Sequence, residues 1–550
     1  MFDDDRSRRG AESAVSRRDF VGRAAISLVV LSGSRARGRR ATEPGESVQA
    51  FAVEELSIVE LQSGQASGAY TARSLVEQYF ARIDALDQRG PALNHVIERN
   101  PDALAIADQL DAERRSGRVR GPLHGIPILI KDNIDTADRM HTSAGSLALA
   151  SSIAPRDAFV AERLRAAGAI ILGKTNLSEW ANFRSTHSSS GWSGRVGQGR
   201  NPYALDRNTS GSSSGSAGAA AASYSAASIG SETDGSITSP SAACSLVGIK
   251  PTVGVVGRSG IIPISHSQDT AGPMARTVRD AAIVLGALTG VDPRDEATRA
   301  SSGRSFADYT RFLDPAGLRG SRLGVVRERH MGYNANADKL VETALDLFRH
   351  EGATVVDPAN ISTAGKFDEA EFEVLLYEFK DDLNKYLAAL GAAAPAKSLA
   401  DLIRFNEQNA SREMPYFGQE IFEMAQKKGP LTDAKYAAAR GRCVRLSRTQ
   451  GIDAVMARHR LDALVAPTQG PVWLIDLVNG DSFGGSFTTP AAVAGYPHIT
   501  VPLGFVHGLP VGISFVGRAW SEPVLLKLAY AFEQATKARK PPAFAPSAGP

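Results

Sequence analysis

The sequence predicts an α/β fold built as one large domain, and three observations predict it. From about Phe51 onward, strand-type and helix-type segments alternate without a break. No Pro-, Gly- or Ser-rich linker divides that stretch into halves, and it carries no internal repeat. The composition is that of an ordinary globular chain, with 43% of its 550 residues hydrophobic. Large α/β enzymes run as single units at this length, so the domain is taken as residues 46–550, with residues 1–45 set apart.

Each element follows from its pattern. Thr71 to Asp87 puts Leu75, Tyr79, Ile83 and Leu86 on one helical face, the mark of an amphipathic surface helix. Gly125-Ile-Pro-Ile-Leu-Ile130 is apolar throughout and reads as a buried strand. Asp157 to Ala167 is helical, Gly168 is its stop, and Ala169-Ile-Ile-Leu172 is the next strand. Leu323-Gly-Val-Val326 followed by Ala337 to His350 makes another strand and helix, and Ala463-Leu-Val-Ala466 is a late strand. Phe367 to Leu390 and Ser398 to Gln450 carry long helical patterns with little strand signal, so about residues 335–450 are expected to be a helical elaboration on the sheet.

The N-terminus has a different character. Ser16-Arg17-Arg18-Asp19-Phe20-Val21 precedes a short apolar segment, Ala24 to Gly33, an order that reads as a twin-arginine export signal and a periplasmic or secreted protein. The alternative is a disordered basic tail on a cytoplasmic protein. Arg23, Arg35, Arg37, Arg39 and Arg40 crowd the segment, and Ala50-Phe51-Ala52, of A-x-A form, lies far downstream. The uncharged run from Asn208 to Ser231 contains nine serines, which excludes it as a membrane span.

Charge and ligand types narrow the function. With 62 Lys+Arg against 59 Asp+Glu, the net charge of 62 − 59 = +3 is too small to argue for nucleic acid as the main partner. Cys244 and Cys443 cannot make a disulfide framework, and the ten histidines show no ligand spacing, so neither a zinc site nor any other metal is expected.

Two familiar motifs match and are refused. Gly168-Ala-Ile-Ile-Leu-Gly173-Lys174-Thr175 satisfies the P-loop pattern, but the segment between its glycines is itself the apolar strand rather than an exposed phosphate-cradling loop. Gly211-Ser212-Ser213-Ser214-Gly215 fits the nucleophile elbow of α/β-hydrolases, yet loop chemistry, Asn201 to Ser210, stands where the elbow needs a strand. That second reading would make Ser213 the nucleophile and need a late histidine, His498 or His507.

What remains is a lysine at a strand end and two serine-bearing loops. Lys131 closes the strand and is followed by Asp132 and Asn133. Ser212 opens the Ala/Ser/Gly segment Gly211 to Ala222, expected to become a helix whose N-terminus supplies a polar, partly positive pocket. Ser236 stands in the loop Gly230-Ser-Glu-Thr-Asp-Gly-Ser236-Ile, expected at the surface, where glycines let backbone N–H groups converge on one point. A flexible linker is the usual reading of such composition, but helix and strand patterns bound it closely on both sides.

Here the chain resembles the amidase signature family, strongly over Leu56 to Gly290 and again over Leu461 to Gln534. The matching runs are Gly125 to Asn133, Gly173-Lys-Thr-Asn-Leu-Ser-Glu-Trp180, Gly211 to Ala217, Gly230 to Ile237 and Leu246-Val-Gly-Ile-Lys-Pro-Thr252. The resemblance implies a mixed central sheet covered by helices on both faces, and amide hydrolysis with no cofactor. It implies a Ser–cis-Ser–Lys triad, with Ser236 as nucleophile, Ser212 as the bridging serine after a cis peptide bond and Lys131 as base. Backbone N–H groups of Thr233, Asp234, Gly235 and Ser236 would bind the oxyanion and substrate.

Within the family the chain is similar to bacterial peptide amidases, which release ammonia from C-terminal peptide amides. That likeness rests on Trp180 to Arg184, Gly191 to Gly194, Asp234-Gly235, Gly260 to Ser265 and Gln268 to Thr270. Asp234-Gly235 replaces the common Gly-Gly, and Ser210 replaces the usual glycine before Gly211. The expected partner is a peptide amide or small carboxamide; the rival readings are one component of a glutamine-dependent amidotransferase and a catalytically inactive binding homologue. Trp180, Phe183, Trp192 and Trp473 are candidate aromatic walls, with helices of 335–450 capping the acyl side.

A lysine base must be neutral. An ordinary lysine titrates near 10.4, which puts its neutral form about 3.4 units, or roughly 4.6 kcal/mol, uphill at pH 7. Burial and two hydroxyl partners would lower that cost, and an inward-pointing Asp132 carboxylate would raise it, so Asp132 is expected to point away.

Overall fold

A computed structural model describes residues 51–392 and 394–549; the twin-arginine segment lies outside them. The described chain folds around one eleven-stranded mixed sheet. In spatial order its strands are Val96–Arg99, Ile170–Thr175, Pro127–Lys131, Ala227–Glu232, Thr270–Ala275, Val247–Lys250, His498–Val506, Leu509–Val516, Ala463–Pro467, Arg322–Val325 and Thr354–Val356. Pro127–Lys131 runs parallel to both of its neighbours, and Arg322–Val325 to both of its own; the other neighbours pair antiparallel.

Helices cover both faces, as expected. Met274 and Ala275 are successive strand residues and so face opposite ways. Met274 packs with Ala217, Ala220 and Ala221 of the helix Ser214–Ala221. Ala275 packs in the larger cluster with Ala281, Ala282 and Leu285 of Val278–Leu288. The predicted helix forms as Ala72–Leu86, capped by Thr71, and buries Leu75, Tyr79, Ile83 and Leu86. Phe159–Ala166 ends at Gly168, whose φ of +81° is the left-handed turn that favours glycine.

The purely helical segment begins later than residue 335. Ala335–His350 packs on the sheet through Val341, Leu345 and Phe348, and Thr354–Val356 is the sheet's edge strand. From Asp368–Ala389 to Asp453–His459 the chain is helical, with its own core of Leu376, Phe379, Leu383, Leu402 and Phe422. No helix among the described residues is long and apolar enough to cross a membrane. Cys244 and Cys443 are both buried free thiols.

Candidate active site

The site forms where two adjacent parallel strands end together. Ile130 pairs with Ile229, so Lys131 emerges beside Gly230 and Ser231 of the neighbouring strand. Lys131 is fully buried, and its Nζ lies 2.8 Å from Ser212 Oγ, 3.0 Å from Ser231 Oγ and 3.1 Å from the Ser231 carbonyl. Asn133 Nδ2 donates to the same Ser231 hydroxyl at 2.9 Å. Burial pushes the Lys131 amine down to about 7, against the opposing pull of Asp269 and Glu232.

Asp132 points away from this amine. Its carboxylate accepts from the Ser143 hydroxyl and from the Gly145 N–H, and Arg195 Nη1 stands 3.8 Å off.

Ser212 follows a cis Gly211–Ser212 bond and precedes the helix Ser214–Ala221. The Ser178 N–H donates to its carbonyl at 3.0 Å, and the Ser213 N–H donates to the Ser236 carbonyl at 3.1 Å, which draws the two serine loops together. Lys131 and Ser212 are thus in direct contact; no hydrogen bond joins Ser236 Oγ to Ser212 Oγ among the described residues. Ser236 is not at the surface, as its loop composition suggested. It is only 8% exposed, because the turn is tucked between the sheet end and the helix Thr238–Ala243.

Glu232 shapes that turn. Its buried Oε2 accepts from the Ile237 N–H at 2.8 Å, the Thr238 N–H at 3.0 Å and the Thr238 hydroxyl at 3.2 Å. With those two amides taken, the N–H groups of Asp234, Gly235 and Ser236 donate to no other group among the described residues. Gly235 has φ of +76°, the left-handed geometry that lets the turn close.

The turn opens onto a cleft of about 530 Å³ that Thr233, Asp234, Gly235 and Ser236 line together with Gly211. Apolar walls come from Phe183, Leu375, Ile421, Trp473 and Phe483, with Leu375 and Ile421 belonging to the helical segment. The other candidate aromatics are core instead. Trp180 packs edge-on against Phe422 at 5.6 Å, and Trp192 against Phe417 at 5.1 Å. At the cleft floor, Asp234 Oδ2 accepts from the Thr489 hydroxyl at 2.7 Å. Burial pushes Asp234 up to about 6, and burial together with Asp234 pushes Glu371 well above the carboxylate range.

The rejected motifs have structural jobs. Lys174 lies in a strand, and its Nζ donates to the Ile134 carbonyl and the Thr142 hydroxyl. Ser213 Oγ donates to the Ser231 carbonyl at 3.1 Å. His498 is buried against Ser514 at 2.6 Å, burial pushing it down to about 3, and His507 sits on an exposed hairpin turn. Neither histidine bonds to Ser213 or Ser236, which removes the α/β-hydrolase arrangement. One trio of metal-type side chains, His266, Glu378 and Asp382, comes together among the described residues. Both Glu378 oxygens already accept from Ser265, Ser267 and Tyr436, and Asp382 holds His266 Nδ1, so the trio pins a loop.

Sequence reasoning missed Ser231, Asn133 and Glu232 as supports. Adjacency of two parallel strands was the signal that could have found Ser231; the carboxylate that caps the turn leaves no such trace.

A buried lysine–serine pair at the ends of parallel strands, facing a turn with free amide donors, is the frame of a hydrolase working on acyl groups. The family model described as Amidase matches residues 74–526, and the chain belongs to this family, the amidase signature family. It is an amidase, hydrolysing amide C–N bonds. The chain is similar to the native peptide amidase of Stenotrophomonas maltophilia, at 52% identity and a TM-score of 0.87, covering 90% of this chain and 100% of that one. A peptide amidase equally similar to this chain has been solved with the competitive inhibitor chymostatin. A probable amidase of Arabidopsis thaliana is 43% identical over 90% of this chain and 92% of its own length. A glutamyl-tRNA(Gln) amidotransferase component from Chloroflexus aurantiacus is 35% identical over 88% and 97% respectively.

Proposed function

We propose that the protein releases ammonia from C-terminal peptide amides or related carboxamides by acyl transfer through Ser236. The observation that carries this reading is the buried Lys131 amine 2.8 Å from Ser212 Oγ, at the mouth of a turn with unoccupied N–H donors. A neutral amine has two N–H bonds and one lone pair. With the N–H groups directed at the Ser231 carbonyl and hydroxyl, the lone pair faces Ser212, whose O–H can donate to it.

In this mechanism Lys131 takes the Ser212 proton as Ser212 takes that of Ser236, and Ser236 Oγ attacks the amide carbonyl. The N–H groups of the Thr233–Ser236 turn, chiefly those of Asp234, Gly235 and Ser236, stabilise the oxyanion. Ser212 returns the proton to the leaving nitrogen, the C–N bond breaks, and ammonia departs. Water enters by the same relay, and the acyl–Ser236 ester is hydrolysed to the acid. Likeness to a peptide amidase solved with chymostatin supports a peptide acyl group, as does the cleft of about 530 Å³ beside Ser236.

The test is ammonia release from a panel of peptide amides, aryl amides and free glutamine. Turnover confined to glutamine would favour the amidotransferase reading, and none at all the inactive homologue. We also propose that residues 1–45 direct export and that the amidase domain spans 46–550. Fusion of residues 1–52 to a reporter tests the first, since Arg17→Lys with Arg18→Lys should stop its appearance in the periplasm.

A further inference from the structure

The cleft holds an acceptor that the acyl-transfer relay does not use. Asp234 stands two residues before Ser236, on the same turn and against the same cavity. Its Oδ2 accepts from the Thr489 hydroxyl at 2.7 Å, while Oδ1 is shielded from solvent and has no hydrogen-bond partner among the described residues, the nearby Thr488 hydroxyl being paired with Ser486 at 2.8 Å. A buried carboxylate oxygen without a donor costs about 1–3 kcal/mol or more, so its persistence here calls for a donor that arrives with the ligand.

The ligand's own groups say which donor. A carboxamide has a carbonyl oxygen that needs donors and an NH2 that needs acceptors. The free N–H groups of Asp234, Gly235 and Ser236 suit the oxygen. Around them the cleft is lined largely by hydroxyls and apolar walls; two of its lining residues carry a buried oxygen without a donor, Asn182 Oδ1 and Asp234 Oδ1, and of these only Asp234 stands on the turn of Ser236. Behind it, Glu371 accepts from Gln268 Nε2 at 2.9 Å, and Gln268 also reaches the Thr233 carbonyl at 3.3 Å, so the carboxylate's surroundings are tied to the turn.

We infer that the Asp234 side chain, beyond any role of its backbone N–H, determines specificity by accepting a hydrogen bond from the NH2 of a primary carboxamide through Oδ1. The inference rests on the acyl-transfer reading above. Such an acceptor would favour an amide over an ester whatever the acyl chain. A carboxylate accepts only, so an ester, which offers an oxygen lone pair at that position, leaves Oδ1 unpaired and faces it with like charge density. Sites built to bond a particular N–H reject analogues lacking it far more strongly than apolar pockets reject a methylene.

The experiment compares kcat/KM for a primary amide and a methyl ester of the same acid, with two acyl groups, N-acetylphenylalanyl and benzoyl. Full-length wild-type protein is set beside Asp234→Asn and Asp234→Gly. In Asp234→Asn the side-chain oxygen keeps Thr489 and turns an NH2 toward the substrate; Asp234→Gly removes the group and restores the family's common residue. The amide-to-ester ratio is expected to fall about 10- to 100-fold in both variants, the worth of one charge-assisted hydrogen bond. A ratio within about twofold of wild type in either folded variant would overturn the inference. Hydrolysis of the benzoyl pair but not the peptide pair would overturn the peptide reading while still measuring Asp234. Inactivity of the wild type on all four would overturn both.

Discussion

Ser231 Oγ sits 3.0 Å from Lys131 Nζ and 2.9 Å from Asn133 Nδ2, so one hydroxyl fixes the direction of the amine. If that direction aims the lone pair at Ser212, Ser231→Ala should lower kcat about tenfold with KM nearly unchanged, while Ser231→Thr keeps most of the rate. Thermal unfolding should move little, since a single buried hydroxyl contributes about 1 kcal/mol. A change in KM alone would show that Ser231 serves binding and does not position the base.

The amine itself makes a second prediction. Burial holds Lys131 near 7, so activity should rise from acid with an apparent pKa close to that value. Lys131→Met should abolish this limb and most of kcat. The sign for stability is opposite. A lysine depressed from 10.5 to about 7 on folding binds fewer protons when folded, a penalty fully present below pH 7 that fades between about 7 and 10.5. Lys131→Met should therefore raise the unfolding free energy at pH 7 by up to about 4 kcal/mol, less the hydrogen bonds lost, and the gain should shrink toward pH 10. An unchanged pH profile in the variant would exclude Lys131 as the base.

How much of this was legible in the sequence depends on how local each feature is. The helix Ala72–Leu86 was readable from its periodicity and the strand Pro127–Lys131 from its unbroken apolar run, since both report burial directly. Ser212, Ser236 and Lys131 stood in recognisable runs, and the structure brings Lys131 and Ser212 into contact. Ser236 was misjudged as a surface residue because Gly and Ser describe backbone freedom, whereas its burial comes from the sheet end and a helix formed later in the chain. Trp180 and Trp192 could not be separated from Phe183 and Trp473 by composition; only packing against Phe422 and Phe417 assigns the first two to the core. Ser231 and Glu232 act through tertiary pairing, which leaves no periodic signal.

Ser236→Ala should abolish ammonia release from every amide while leaving the fold intact. The lost hydroxyl has no hydrogen-bond partner among the described residues to strand, so the stability change should stay below about 1 kcal/mol. Retained turnover would move the nucleophile elsewhere on the turn. Measured ammonia together with the circular dichroism spectrum decides it.

Docking of the helical segment depends on a buried charge cluster. Arg184 Nη1 lies 2.7 Å from Glu179 Oε1, both fully buried, and its guanidinium stands over the Phe417 ring at 4.4 Å. Glu413, from the helical segment, meets the same arginine and accepts from the Leu147 N–H at 2.6 Å. Arg184→Met would strand two carboxylates away from water, so it should destabilise the protein by about 3–5 kcal/mol. A loss of under about 1 kcal/mol in denaturant unfolding would mean that the cluster is solvated or already neutral.

The last prediction concerns the cleft walls. Leu375 and Ile421 reach the cleft from the helical segment, Phe183 is braced by Phe379 at 5.0 Å, and Trp473 is held at the rim by its N–H to Asp481 at 2.9 Å. Phe183 is nearly buried and belongs to the wall's inner packing, so its loss would disturb the fold as well as the substrate. Trp473 is a cleaner probe, because it is only part-buried and packs against Phe483, which is 52% exposed, with the Asp481 bond as its one side-chain hydrogen bond. Removing an aromatic wall costs a bound apolar side chain on the order of 1–3 kcal/mol, which is about 5- to 150-fold in affinity. Trp473→Ala should accordingly raise KM for amides of long apolar peptides by about tenfold or more, and leave kcat/KM for a small amide such as propionamide within about twofold. Equal losses for long and short substrates would place Trp473 in support of the Ser190 backbone and the Asn208 side chain through Asp481 and remove it from the acyl-binding surface.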